Sequence, residues 1–445
     1  MTILNESGAS DVLSPLHAVN GLAERLPGAF VVVVGTRAEA HIVQSLPAAP
    51  SPTLPRSPRT NARVAFVILD PEEESPQQGR VASRVIEAAA GSSGIEFVLL
   101  IAGRSAELLG VDAGFEVRLV ARRLDLPAEA VNPDAAYDVR GTLSTDLEDR
   151  TLAALIEACP KKDTADLVEA LSTPKRSGLL GNFLGRGREE AHVGRSRPVV
   201  LLGAPFSPGT ARELSDQLAQ AGVEVVGSVP GEEVRELPAL GEGTVVAVTD
   251  PNLTAAARAV EERGAKMVRT LMPIGVDGTA RFIQDVAAEA GARANELAKA
   301  RSTWEDLEPL RNRVRGKRIF FAGDTGFEIP LARFLADAGA VVLEVGAPRL
   351  DKRFLAAELQ ALGPDVDVVQ SPDWRGQIGR IDAARPDVVV ASPGLHLPLV
   401  ARGHLCRSPR DFLESGIHGY QGARRILELL VRTFDRAEAL DSVNL

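Results

Sequence analysis

The chain has 445 residues and only two cysteines, Cys159 and Cys406, far apart in sequence. Two thiolates fall short of the four that an ordinary protein-bound iron–sulfur cluster takes. A disulfide between them is disfavoured in a reducing compartment. Aromatic residues are scarce, at 4%. There is no basic excess: the formal net charge is −10, which argues against general nucleic-acid binding. No apolar run reaches the ~20 residues that a bilayer-spanning helix needs. The stretch Met1 to Asp11 is polar and lacks the basic-then-apolar layout of a secretion signal. The expectation is a cytoplasmic protein with no membrane span and no nucleic-acid partner.

What is present is alternation. Short runs of Val, Ile and Phe take turns with helical patterns, which reads as repeated βα units around parallel sheets. Ala29–Val34, Arg63–Leu69, Ile95–Ala102 and Glu116–Ala121 read as strands, and Leu147–Cys159 as a helix. A second series opens at Pro198, with strands at Val199–Gly203, Glu224–Val229, Thr244–Val248 and Lys266–Thr270. A third opens at Lys317, with strands at Arg318–Ala322, Val341–Val345, Val366–Gln370 and Asp387–Ala391. Ala280 to Asn312 is almost wholly helical and charged, and Gly422–Phe434 is an amphipathic helix. The fold class is therefore α/β, with three Rossmann-like domains over residues 1–185, 186–300 and 301–445. Pro47 to Pro58 carries five prolines and reads as a loop. Thr173 to Arg197 reads as an inter-domain linker, whose Arg186, Arg188, Arg195 and Arg197 either bind an anion or are simply solvated.

Local chemistry motifs are weak. The turns at 203–209 and 323–326 each follow a strand and precede a helix, where amides could meet a phosphate. Neither fits the dinucleotide or P-loop pattern, and plain βα turns are the better reading. None of the six histidines stands at zinc-ligand spacing, His404 and Cys406 being too few for a site. No nucleophile elbow occurs.

Longer strings carry more. Leu237-Pro238-Ala239-Leu240-Gly241-Glu242-Gly243 precedes Asp250-Pro251-Asn252-Leu253. Pro273-Ile274-Gly275-Val276-Asp277-Gly278-Thr279 and Phe321-Ala322-Gly323-Asp324 follow. Then come Glu328-Ile329-Pro330-Leu331-Ala332-Arg333-Phe334-Leu335, Asp351-Lys352-Arg353-Phe354-Leu355-Ala356-Ala357-Glu358-Leu359 and Ile417-His418-Gly419-Tyr420. In this order they resemble the N subunit of dark-operative, light-independent protochlorophyllide reductase, a nitrogenase-like reductase. The resemblance implies an arrangement like the nitrogenase MoFe protein and an N-type subunit paired with a B-type subunit. It implies an ATP-dependent iron–sulfur protein as electron donor, a [4Fe–4S] cluster between N and B, and a tetrapyrrole substrate, protochlorophyllide, in (bacterio)chlorophyll synthesis.

In that family three cysteines of the N subunit and one carboxylate of the B subunit hold the cluster. The positions matching those cysteines are Ser14, Glu39 and Arg104. Seryl and glutamyl oxygens bind iron less well than thiolate, and a guanidinium has no lone pair to give. The expectation is that no cluster is held by this chain alone. Two readings stay open: an N-type subunit of the reductase, or a cluster-free, non-catalytic paralogue that serves as scaffold or tetrapyrrole-binding subunit. If the three positions converge, Glu39 and Arg104 are expected to pair, with Ser14 beside them.

Overall fold

Valine-rich runs such as Ala29–Gly35 are buried along their whole length, as strands covered by helices on both sides must be. A computed structural model of the chain describes residues 3–6, 16, 19–26, 28–45, 64–70, 78–132, 144–161, 196–203, 208–231 and 237–442. Ser14, the Pro47–Pro58 loop, the 204–207 turn and nearly all of the Thr173–Arg197 linker lie outside these residues.

Three sheets carry the described residues, and every strand pairing in them is parallel. A short strand, β1 (Ile3–Asn5), pairs with the last sheet, far from its sequence neighbours. The first sheet has the order β3-β2-β4-β5, from β2 (Ala29–Gly35), β3 (Val64–Ile68), β4 (Phe97–Ala102) and β5 (Ala128–Val131). Its helices are α1 (Val19–Arg25), α2 (Arg37–Ser45), α3 (Arg80–Ala90), α4 (Arg104–Leu108), α5 (Ala113–Leu124) and α6 (Ser144–Ala158).

The second sheet has the order β7-β6-β8-β9, from β6 (Val199–Leu202), β7 (Val225–Val229), β8 (Val245–Val248) and β9 (Lys266–Met267). Around it lie α7 (Pro208–Gln220), α8 (Thr254–Glu262), α9 (Gly275–Ala290) and α10 (Leu297–Val314). The third has the order β1-β12-β11-β10-β13-β14, from β10 (Arg318–Ala322), β11 (Val341–Ala347), β12 (Asp367–Gln370), β13 (Val388–Ala391) and β14 (Cys406–Arg407). Its helices are α11 (Glu328–Asp337), α12 (Lys352–Leu362), α13 (Trp374–Ala384), α14 (Pro393–Val400) and α15 (Pro409–Ser415). The last helix, α16 (Gly419–Ser442), packs on α9, α10 and α15.

One expectation needs correction. Glu116–Ala121 is not a strand but the middle of α5, which Asp112 caps by accepting the Phe115 N–H at 2.9 Å. Val117 and Val120, three apart, bury one helical face, and the strand that follows is β5. The stretch Ala280–Asn312 is helical as expected, in two helices, α9 and α10. Gly291, at φ +85°, closes α9 in the left-handed conformation that glycine adopts without strain.

The long strings quoted above form the interlock between the second and third units. Arg333 of α11 is 1% exposed and donates to the Glu358 carboxylate (2.6 Å) and the Ile274 carbonyl (2.8 Å). Glu358, fully buried on α12, also accepts the Met272 N–H at 2.7 Å. Gly278 faces this guanidinium so closely that a Cβ would strike Arg333 and the Met272 carbonyl. Asn252 donates to the Thr325 carbonyl (2.8 Å), and Thr254 to Asp351 (2.8 Å). The first unit docks through α6: Asp149 accepts the Ala255 and Ala256 amides at the N-terminus of α8, at 2.8 and 2.9 Å, where a carboxylate suits the helix dipole.

Candidate functional site

In an open parallel sheet, ligands sit outside the carboxyl ends of the strands, where the order reverses. The reversal falls between β2 and β4 in the first unit, β6 and β8 in the second, and β10 and β13 in the third. At each, the residue after the neighbouring strand donates its N–H back to the central strand: Gly103 to Val34, Thr249 to Leu202, and Ser392 to Ala322. The three crevices are thus built alike, and what fills them differs.

In the first unit Glu39 fills it. The run Gly35-Thr36-Arg37-Ala38-Glu39 leaves β2 and starts α2, with Thr36 before the first helical residue and Glu39 third within it. That is capping-box spacing, and the carboxylate accepts both the Thr36 N–H (2.8 Å) and its hydroxyl (3.1 Å). It also accepts the Ser105 N–H at 3.1 Å and the Ser105 hydroxyl, and so bridges the N-termini of α2 and α4, where negative charge is favoured. A Cβ on Gly35 or on Gly103 would collide with this carboxylate. The two glycines leave a slot of carboxylate size.

The turns bearing Glu39 and Arg104 converge, but the residue that holds Glu39 is Ser105, the next along, where Arg104 was expected. The Arg104 side chain is exposed, and Ser14 lies outside the described residues. Ser105 was missed by sequence reasoning because it lies 66 positions from Glu39 and only the topology joins them. The two cysteines are elsewhere: Cys159 closes α6, Cys406 lies in β14, and burial pushes both thiols up to about 11. They behave as small apolar residues, not as metal ligands.

The third unit has a related turn. Glu328 folds back over Gly323, where a Cβ would strike it, and accepts the Thr325 N–H and hydroxyl, both at 2.8 Å. Phe327 beside it meets the His418 ring edge-on, and His418 Nε2 lies 2.8 Å from the Thr249 carbonyl of the second unit. In the second unit's crevice Thr249 itself lies against Gly203, with its hydroxyl bonded to the Gly203 carbonyl at 3.1 Å.

A profile of the family described as nitrogenase component 1 type oxidoreductase matches residues 81–435. The chain belongs to that family. It is 31% identical to the light-independent protochlorophyllide reductase subunit N of Heliobacterium modesticaldum, over 98% of this chain and 97% of the relative. The same-named subunit of a Roseiflexus species is 31% identical, over 99% and 95%, and that of Chloroflexus aurantiacus 29%, over 99% and 89%. Among solved structures, one titled "Nitrogenase Cp1 at pH 6.5" superposes with a TM-score of 0.68 at 13% identity, over all of this chain and 94% of that one. The fold is that of a nitrogenase-family subunit. Among the described residues no helix is long and apolar enough to cross a membrane, and no group of three or more His, Cys, Asp or Glu side chains is placed to hold a metal ion.

Proposed function

We propose that the chain is an N-type subunit of a nitrogenase-like, light-independent protochlorophyllide reductase complex in (bacterio)chlorophyll synthesis. The observation that carries this reading is end-to-end similarity to subunits of that name, 31% identical over 98% of this chain. The strings that bear it form the interlock of the second and third units, so the scaffold is retained where units meet. Such a subunit works against a B-type partner, with an ATP-dependent iron–sulfur protein as electron donor and protochlorophyllide as substrate. The test is co-expression with a B-type subunit. A stable complex that binds protochlorophyllide, seen as a shifted pigment absorbance, supports the reading. A chain that never co-purifies with a B-type subunit and leaves the pigment spectrum unchanged counts against it.

A specific observation favours a second reading, a cluster-free subunit acting as scaffold or tetrapyrrole binder. The residues present do not fit a [4Fe–4S] cluster. At the positions matching the family's cysteines stand a hydroxyl, a carboxylate and a guanidinium. Glu39 has both its oxygens engaged by Thr36 and Ser105, and Arg104 has no lone pair for iron. What Glu39 does is structural: it ties the turn after β2 to the turn after β4, two segments that bring cluster ligands in the family. The reading predicts that a complex of this chain with a B-type subunit, purified anaerobically, contains no stoichiometric iron or sulfide. Four irons per pair of subunits would sink it and leave the first reading standing.

A further inference from the structure

The third unit repeats the first unit's turn with one partner missing. In both, a glycine ends or directly follows the strand, and a threonine precedes by three residues a glutamate that folds back over that glycine. In the first unit both oxygens of Glu39 are met: Oε1 by the Ser105 N–H, Oε2 by Thr36 and by the Ser105 hydroxyl. The parallel register sets Val34 beside Ala102 in one unit and Ala322 beside Ala391 in the other. Counting on from these, Ser105 of the first unit corresponds to Gly394 of the third, which has no hydroxyl, and Arg104 corresponds to Pro393, which has no N–H.

The consequence is visible at Glu328. Its Oε1 is met by Thr325, while its Oε2 is buried and has no hydrogen-bond partner. The turn is also one residue longer than in the first unit. The extra length brings in Asp324, 8% exposed, whose Oδ1 is likewise buried without a partner. Two acceptor atoms without a donor, in one buried turn, are costly to leave so. A proton taken up by either carboxyl turns one of these oxygens into a donor and halves the charge buried in the turn.

We infer that Glu328 and Asp324 form an acid couple that binds one proton at the carboxyl end of β10, against the joint with the second unit. The electrostatics agree. Burial pushes Glu328 up to about 7, and the Asp324 charge adds to the rise. Burial also raises Asp324, opposed by the Arg410 guanidinium of α15. Other ionisable groups surround the turn without entering it. His418 stands edge-on to Phe327 and is turned to Thr249, and Asp250 across the joint accepts from Asn252. None of them donates to the two unpartnered oxygens. The proton comes from and returns to water, so the couple alternates between one negative charge and two.

The test is infrared spectroscopy of the full chain, following the C=O stretch of a protonated carboxyl across neutral pH, with far-ultraviolet circular dichroism as a check on folding. Wild type should show such a band and lose it as pH rises through about 7. Glu328→Gln should abolish the component with that midpoint, apart from any lower one due to Asp337, which burial raises to about 6. Asp324→Asn should keep the band but move its midpoint to lower pH, because the like charge is gone. A wild type with no such band at neutral pH would overturn the inference, as would survival of the component with that midpoint in Glu328→Gln. Should Glu328→Gln fail to fold, Asp324→Asn alone decides: an unmoved midpoint means that the carboxyl titrates without its neighbour, and there is no couple.

Discussion

Single side chains here hold helix ends and unit joints. Arg333 and Glu358 are both buried and satisfied by each other and by backbone, so removing one strands the other. Arg333→Met should destabilise the chain by about 3–5 kcal/mol, read from denaturant midpoints, and adding Glu358→Gln should recover part of that loss. Glu39→Ala frees the Thr36 and Ser105 amides of two helix starts and should cost ~1–2 kcal/mol, the range of a lost cap. At the unit 2–3 joint two residues titrate in opposition. Glu328 has an ordinary value of 4.5 and about 7 in the fold. Between those values the folded chain holds more protons than the unfolded one, so stability falls as pH rises. Burial drops His418 from 6.5 to about 4. In that window the unfolded chain binds more protons, so stability falls as pH drops. Each amounts to about 3 kcal/mol at ~1.4 kcal/mol per unit, and the two act in opposite directions. Thermal melts against pH should therefore separate the two variants from wild type in opposite directions. Glu328→Gln should lose stability towards acid, and His418→Gln should lose it towards neutral pH; parallel profiles for all three would refute the assignment. Of these residues the sequence made Glu39 legible as a position, through the family resemblance. Its partner Ser105, and the absence of a matching hydroxyl beside Glu328, depend on which strands are neighbours, which no local pattern encodes.

Among the elements, the buried strands were legible because parallel strands covered on both faces are continuous apolar runs, and Ala29–Gly35, Phe97–Ala102 and Val388–Ala391 are of that kind. The miss at α5 has a definite cause. Glu116-Val117-Arg118-Leu119-Val120-Ala121 alternates polar and apolar over a few residues, as a half-buried strand does, and the helical spacing shows only over the longer window from Asp112. Glu116 decides it physically. Its carboxylate accepts the Gly79 and Ala82 amides at 2.6 and 2.7 Å, at the start of α3, a contact made from the first turn of a helix packed alongside. Asp112→Ala should loosen that end by about 1 kcal/mol, measurable as faster amide exchange at Phe115 and Glu116. The strands β5 and β14 were not legible, since Ala128-Glu129-Ala130-Val131 is no continuous apolar run and Cys406–Arg407 has only two residues, too little pattern to read.

Across the whole molecule, the three sheets share a parallel build and meet through polar contacts from helix starts and strand ends: Asp149 on α8, Asn252 on the turn after β10, Arg333 on the residues before α9. Units joined by buried charges should not melt independently. Calorimetry should show the second and third units unfolding in one transition, and Arg333→Met should split it. A second consequence concerns synthesis. Strand β1 pairs with β12, and Glu6 beside it accepts the Asp373 N–H and bonds Arg380, 367 and 374 positions further on. At ~5–20 residues per second, the ribosome delivers these partners on the order of 20–70 s after the strand itself. The strand is thus made long before its partners, and the third sheet gains it only once β12 and α13 have emerged. Ribosome-bound chains halted before β12 should leave residues 3–6 open to protease, and full-length released chains should protect them.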